Sequence, residues 1–131
     1  MTDTSPLRVV LPAYETPRNT WREKIHAAVS ARMAAESVVY SVEDQLALEV
    51  CLYMSDTMLG FHDVDNRLKD VLDALQGRVG GPKSVRRLPA LIPNDKQVVR
   101  ATIEKRRAPG KEQSGGWLTI GLVGRVGTAA E

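Results

Sequence analysis

The chain has 131 residues, 43% of them hydrophobic and 26% charged, with a formal net charge of +2. That suits one globular domain with a real core and excludes a chain disordered throughout. No run approaches the roughly 18 apolar residues of a membrane helix, and "MTDTSPLRVV" lacks the basic and long apolar segments of a signal peptide, so a cytoplasmic protein without a membrane partner is expected.

Taken in order, residues 1–6 read as a tail, and "LRVVLPA" (Leu7–Ala13) as a first strand ended by Pro12. "PRNTWREKIHAAVSARMAAE" carries Trp21, Ile25, Ala28, Val29 and Met33 at helical spacing, with Asn19 or Thr20 as cap and Glu23 near the capping-box position. "QLALEVCLYMS" (Gln45–Ser55) reads as a mostly buried strand, and its Cys51, the single cysteine, as a buried thiol in a reducing compartment. "DTMLGFH" reads as a turn. From about Val64 to Leu75 a helix is expected, with Val64, Leu68, Val71, Leu72 and Leu75 as one apolar stripe and Gly77 as its C-terminal cap.

The Gly-, Pro- and Arg-rich stretch from Arg78 to about Asn94 reads as a long loop. "KQVVRATIEKRR" (Lys96–Arg107) reads as a strand with one basic face, "WLTIGLVG" as a last strand pairing with it in a hairpin, and residues 125–131 as a frayed tail. This order predicts an α+β (α/β) fold, a small mixed β-sheet with helices packed on it.

The modest net charge hides an asymmetry. Residues 1–77 hold 7 Lys/Arg against 12 Asp/Glu, whereas residues 78–131 hold 11 against 4. A concentrated basic region points to a polyanionic partner, most often nucleic acid.

The stretch "HDVDNRLKDVLDALQG" (His62–Gly77) gathers Asp63, Asp65, Asn66 and Lys69 at one helix start. Helix physics offers an ordinary account: Asp63 as N-cap, Asp65 on the helix dipole, and Asp65 with Lys69 as an i,i+4 ion pair. A metal site is the other account. Crowded carboxylates repel one another unless a cation joins them, and hard oxygen donors suit Mg²⁺ or Mn²⁺. "IPNDKQVV" adds a further carboxylate, Asp95, among basic residues. Divalent metal, carboxylates and lysine are the parts of a phosphoryl-transfer site.

These motifs resemble the RusA family of Holliday junction resolvases. The family's helix signature, Asp-x-Asp-Asn-x-x-Lys-x-x-x-Asp-x-Leu, is matched by Asp63, Asp65, Asn66, Lys69, Asp73 and Leu75. Asp95 matches the second Asp of the family's later pair, Asn94 replaces the first, and Lys105 lies in the following strand. The likeness runs in element order from about Leu7 to Val123, within a single domain over residues 1–131, and the Arg78–Pro93 segment is longer than in compact members.

The resemblance implies a homodimeric endonuclease that cuts four-way DNA junctions symmetrically with Mg²⁺, or Mn²⁺. Asp63, Asp65 and Asp95 would hold the metal, Lys69 would assist catalysis, and Asn66 and Asp73 would support the site. Lys83, Arg86, Arg87, Lys96, Arg100, Lys105, Arg106 and Arg107 are the candidate phosphate contacts, although Arg100 and Lys105 must face opposite sides of one strand. The alternative is a non-cleaving module of the same fold that binds branched DNA.

Overall fold

The computed structural model describes residues 5–81, 85–109 and 115–125, so Lys83 and most of both tails lie outside it. The elements run β1 (Leu7–Val10), α1 (Arg18–Glu36), β2 (Asp44–Met54), α2 (Asp56–Phe61), α3 (Val64–Leu75), a 3-10 turn (Asp95–Gln97), β3 (Val98–Arg107) and β4 (Gly116–Arg125). The four strands form one mixed sheet in the order β1-β4-β2-β3. Alternate residues of β2, Leu46, Leu48, Val50, Leu52 and Met54, share a core with Trp21, Ile25 and Val29 of α1 and Val71, Ala74 and Leu75 of α3.

The expected hairpin of the last two strands does not form. β4 lies between β1 and β2, antiparallel to both, and β3 lies parallel to β2 at the sheet edge. β2 is the most apolar strand and gains most from neighbours on both sides. The long segment between β2 and β3 makes the parallel return possible. "DTMLGFH" is a short helix rather than a turn, capped by Ser55, whose hydroxyl accepts from the Met58 N–H at 3.3 Å. α1 starts at Arg18, with Pro17 at the cap position and no side-chain cap bond, so the expected Asn19 or Thr20 cap with Glu23 is not made.

α3 has the bounds the periodicity predicts. It ends in a Schellman turn: Gly77 N–H donates to Ala74 O (3.0 Å) and Arg78 N–H to Asp73 O (2.8 Å), with Gly77 at φ +76°. Its buried face is rotated from the expected stripe. Val64 is exposed, while Arg67 and Asp70 are buried with Val71, Ala74 and Leu75.

Asp70 has no exposed surface. Its Oδ1 accepts from Arg22 Nε (2.9 Å) and Nη2 (2.7 Å), while Arg67 Nη2 lies 3.1 Å from Oδ2. Arg22 also reaches Asp73 at 3.3 Å, tying α1 to α3 a second time. Arg67 lies over the Tyr14 ring, and Tyr14 meets Trp21 and His62 edge-on. One buried carboxylate thus gathers α1, α3 and the segment after β1.

The loop from Gln76 to Asn94 is fastened at several points. Gly77 O accepts from Arg87 N–H (3.0 Å) and Leu88 N–H (3.2 Å), and Leu75 O from Leu91 N–H (2.8 Å). A Cβ at Gly77 would stand 2.0 Å from Leu88 O. Gly77→Ala should therefore cost about 1–2 kcal/mol or more in urea unfolding, by left-handed strain and by that clash. Asp70→Asn should cost about 3 kcal/mol or more, because it leaves the buried Arg67 charge without its counter-ion. Asp73→Asn, at a partly exposed position, should stay within about 1 kcal/mol. Equal losses at Asp70 and Asp73 would contradict the buried network.

Candidate functional site

The start of α3 stands at the end of the sheet where β2 and β3 finish. Lys105, on β3, donates from Nζ to Leu59 O (2.8 Å) and to His62 O, fastening the junction of α2 and α3 to the strand. Arg67 Nη1 donates to His62 Nδ1 at 3.0 Å. Arginine can only donate, so this ring nitrogen is the acceptor of a neutral imidazole. His62 and Arg67 thus hold the backbone just before Asp63.

The ordinary account of the acidic helix start is realised only in part: Asp65 lies in the first turn of α3, on the helix dipole. Asp63 occupies the N-cap position, yet its side chain makes no cap hydrogen bond. Among the described residues Asp65 accepts only from the adjacent Asn66 N–H, at 3.1 Å, and forms no ion pair with Lys69. Asp63, Asp65, Asn66 and Lys69 are all exposed. Asp65, Lys69 and Asp73 follow one another at helical-turn spacing along one side of α3. Asp73 pairs with a basic neighbour, Arg22.

Asp95 is placed elsewhere. It opens the 3-10 turn before β3, where Asn94 Oδ1 accepts from Lys96 N–H (2.9 Å) and Gln97 Oε1 accepts from Asn94 N–H (2.8 Å). Asn94 thus caps the turn that presents Asp95. Gln97 Nε2 donates to Asp44 O at 2.9 Å, setting this turn at the beginning of β2. Because β2 and β3 are parallel, Asp95 stands at one end of them and Asp63 at the other. The 12 residues of α3 span about 18 Å, and Val98 to Lys105 about 23 Å, so the two carboxylates are on the order of 20 Å apart. Consistently, no three His, Cys, Asp or Glu side chains among the described residues are placed to hold one metal ion.

The candidate phosphate contacts divide. Lys105 is engaged in the fold, and Arg86 Nη2 is held by Gln76 Oε1 (2.6 Å) and Pro93 O (3.3 Å). Arg106 pairs with Glu104 (2.9 Å) and Arg107 with Asp56 (2.7 Å), both in solvent. Arg87, Lys96 and Arg100 are exposed and form no ion pair among the described residues. Arg100, beside Ala47, and Lys105, beside Leu52, face opposite sides of the sheet, as strand alternation requires. Burial pushes the Cys51 thiol above its ordinary value, which suits an inert cysteine.

Sequence reasoning passed over Arg18, Arg22 and Arg78. They line a cleft of about 420 Å³ with Lys69 and Asp73. Arg18 and Arg22 lie four residues apart on α1, and that spacing was the available signal; their meeting with α3 is tertiary.

Burial holds His62 below its ordinary pKa of 6.5, and Arg67 and Lys105 push it the same way, against a smaller opposing effect of Asp70. The fold therefore favours neutral His62. Its contribution to stability is present above pH 6.5 and is lost as the pH falls below that value toward the depressed pKa. Denaturant midpoints from pH 7.5 to about 5 should fall more steeply for the native chain than for His62→Asn, whose amide oxygen can still accept from Arg67. Parallel curves would remove His62 from the acid response. No protein-family model matches this chain, and no curated protein shows significant sequence similarity to it.

Proposed function

We propose that this chain is a metal-dependent, structure-selective DNA endonuclease of the RusA type that resolves four-way junctions by paired, symmetric phosphodiester cleavage. One observation carries the reading. Asp63, Asp65 and Lys69 stand exposed together at one helix start: Asp63 makes no side-chain cap bond, and among the described residues Asp65 and Lys69 do not pair. The helix dipole favours carboxylates at this end of α3, and a bound cation would relieve the repulsion that remains between them.

Asp63 and Asp65 offer hard oxygen donors that fit Mg²⁺ or Mn²⁺. A divalent ion held there supplies neutralisation of the phosphodiester charge and a lowered pKa for the attacking water. Lys69, one turn beyond Asp65, places an ammonium against the developing charge on the phosphoryl oxygens. His62 and Arg67 keep the helix start in position. Phe61, 80% exposed two residues before Asp63, offers an aromatic face to an unstacked base at a branch point.

The third carboxylate requires a second copy of the chain. Asp95 is too far from Asp63 to serve the same ion within one molecule. The outer edge of β3 has no partner strand among the described residues. Antiparallel pairing of two such edges about a two-fold axis would bring the Asp95 end of one chain toward the Asp63 end of the other. The same symmetry matches the paired cuts of a four-way junction.

The distance between Asp95 and Asp63 favours a second reading, a branched-DNA-binding module with an incomplete metal site. Labelled four-way junctions, forks and linear duplexes offered with Mg²⁺ or Mn²⁺ separate the two. The endonuclease gives paired symmetric cuts, lost in Asp65→Asn and in Asp95→Asn. Junction binding without cleavage under either metal would leave the binding module. Subunits shared between the two inactive variants should regain nicking, at about a quarter of the native density of intact sites, because mixed dimers retain one complete site. Failure of that mixture to nick, with each variant still dimeric, would exclude a site shared between subunits.

A further inference from the structure

The cleft beside α3 is positively charged and incompletely satisfied. Arg18, Arg22, Lys69 and Arg78 line it, against Asp73 within it and the buried Asp70 behind it. Arg22 is committed to Asp70 and Asp73. Arg18, Lys69 and Arg78 form no ion pair among the described residues. The Nε of Arg78 is buried and has no hydrogen-bond partner among the described residues. A buried guanidinium N–H without an acceptor is costly, and an anionic oxygen, as a charge-assisted acceptor, would satisfy it best.

The surroundings fit the same kind of ligand. α1, 19 residues long, opens at this cleft with Arg18 and Asn19, and no side chain caps its first turn. Gly80 and Gly81, both at positive φ, form part of the lining without side chains to fill it. The Arg87 guanidinium packs so closely on Gly81 that a Cβ there would lie 2.7 Å from Nη2. Phosphate oxygens match forked guanidinium donors and a lysine point charge better than a carboxylate ligand would fill so large a space.

We infer that this cleft seats a phosphate group, with Arg78 and Arg18 as its principal donors. Resting on the endonuclease reading above, the group is a backbone phosphate of the DNA strand being cut, next to the one attacked at Asp63 and Asp65. Asp65, Lys69 and Asp73 step along one side of α3 at about 5–6 Å per turn, so a strand following that side passes from the helix start into the cleft. The cleft fixes the register of the strand and takes no part in the bond-breaking step.

The experiment uses the full chain with EDTA present, so cleavage chemistry plays no part. A labelled four-way junction and a labelled single strand are titrated by fluorescence anisotropy at several salt concentrations, and inorganic phosphate by calorimetry. Arg78→Gln and Arg18→Gln are compared with Arg32→Gln, a surface control near the other end of α1 where Arg32 pairs with Glu36; Arg18 is exposed, so its variant should fold even if Arg78→Gln does not. Each cleft variant should weaken DNA binding roughly tenfold, lower the salt slope by about one, and lose phosphate binding. Loss of phosphate binding with DNA binding unchanged would overturn the DNA assignment and leave a small free anion as the occupant. No change in either ligand for both cleft variants would overturn the site itself. A native chain that binds phosphate through these arginines but binds no DNA would refute the endonuclease reading and leave the phosphate site standing.

Discussion

A single buried carboxylate sets the geometry on which the functional face depends. Asp70 lies without exposed surface between Arg22 of α1 and Arg67 of α3. Charges taken out of water are expensive unless paired, so the arrangement is stable only when all three groups are in place. The pairing is directional in a way that apolar packing is not. It fixes the rotation of α3 against α1, and Arg67 extends the constraint to His62 and Tyr14. The outward faces of Asp63, Asp65 and Lys69 follow from that rotation.

The sheet order has the second large consequence. β2 needs neighbours on both sides to bury its apolar residues, and it takes β4 on one side and β3 on the other. The parallel match of β2 and β3 sends the segment before β3 to the opposite end of the sheet from the start of α3. Residues close to one motif in sequence reading are thereby separated in one molecule. The site proposed above would unite Asp95 with Asp63 and Asp65 only across two copies of the chain, at the edge of β3 that has no partner strand among the described residues.

Basic residues that look alike in sequence have different physical duties. Lys105 and Arg86 satisfy backbone carbonyls and a buried amide, tasks that hold loops to the sheet and to α3. Arg22 neutralises Asp70 and Asp73. Among the described residues Arg18, Lys69 and Arg78 form no ion pair, as Arg87, Lys96 and Arg100 do not, and the first three line one cleft. The phosphate seat proposed above follows from the clustering of such cations in one cleft more than from the total charge of the basic half.

Much of this was legible in the sequence. The bounds of α3, its glycine cap, the buried central strand and the mixed α+β class follow from period, turn chemistry and local propensity, which neighbouring residues determine among themselves. The acidic helix start was visible as a cluster, but not whether it capped, paired or stood free; that depended on side-chain contacts of its own turn. The short helix after Ser55 was missed because its cap signal is brief. The insertion of β4 between β1 and β2, the burial of Asp70, the distance to Asp95 and the meeting of Arg18, Lys69 and Arg78 were decided only by the tertiary structure. Each depends on which distant elements become neighbours, and local periodicity says which face of a segment is apolar without saying what that face will meet.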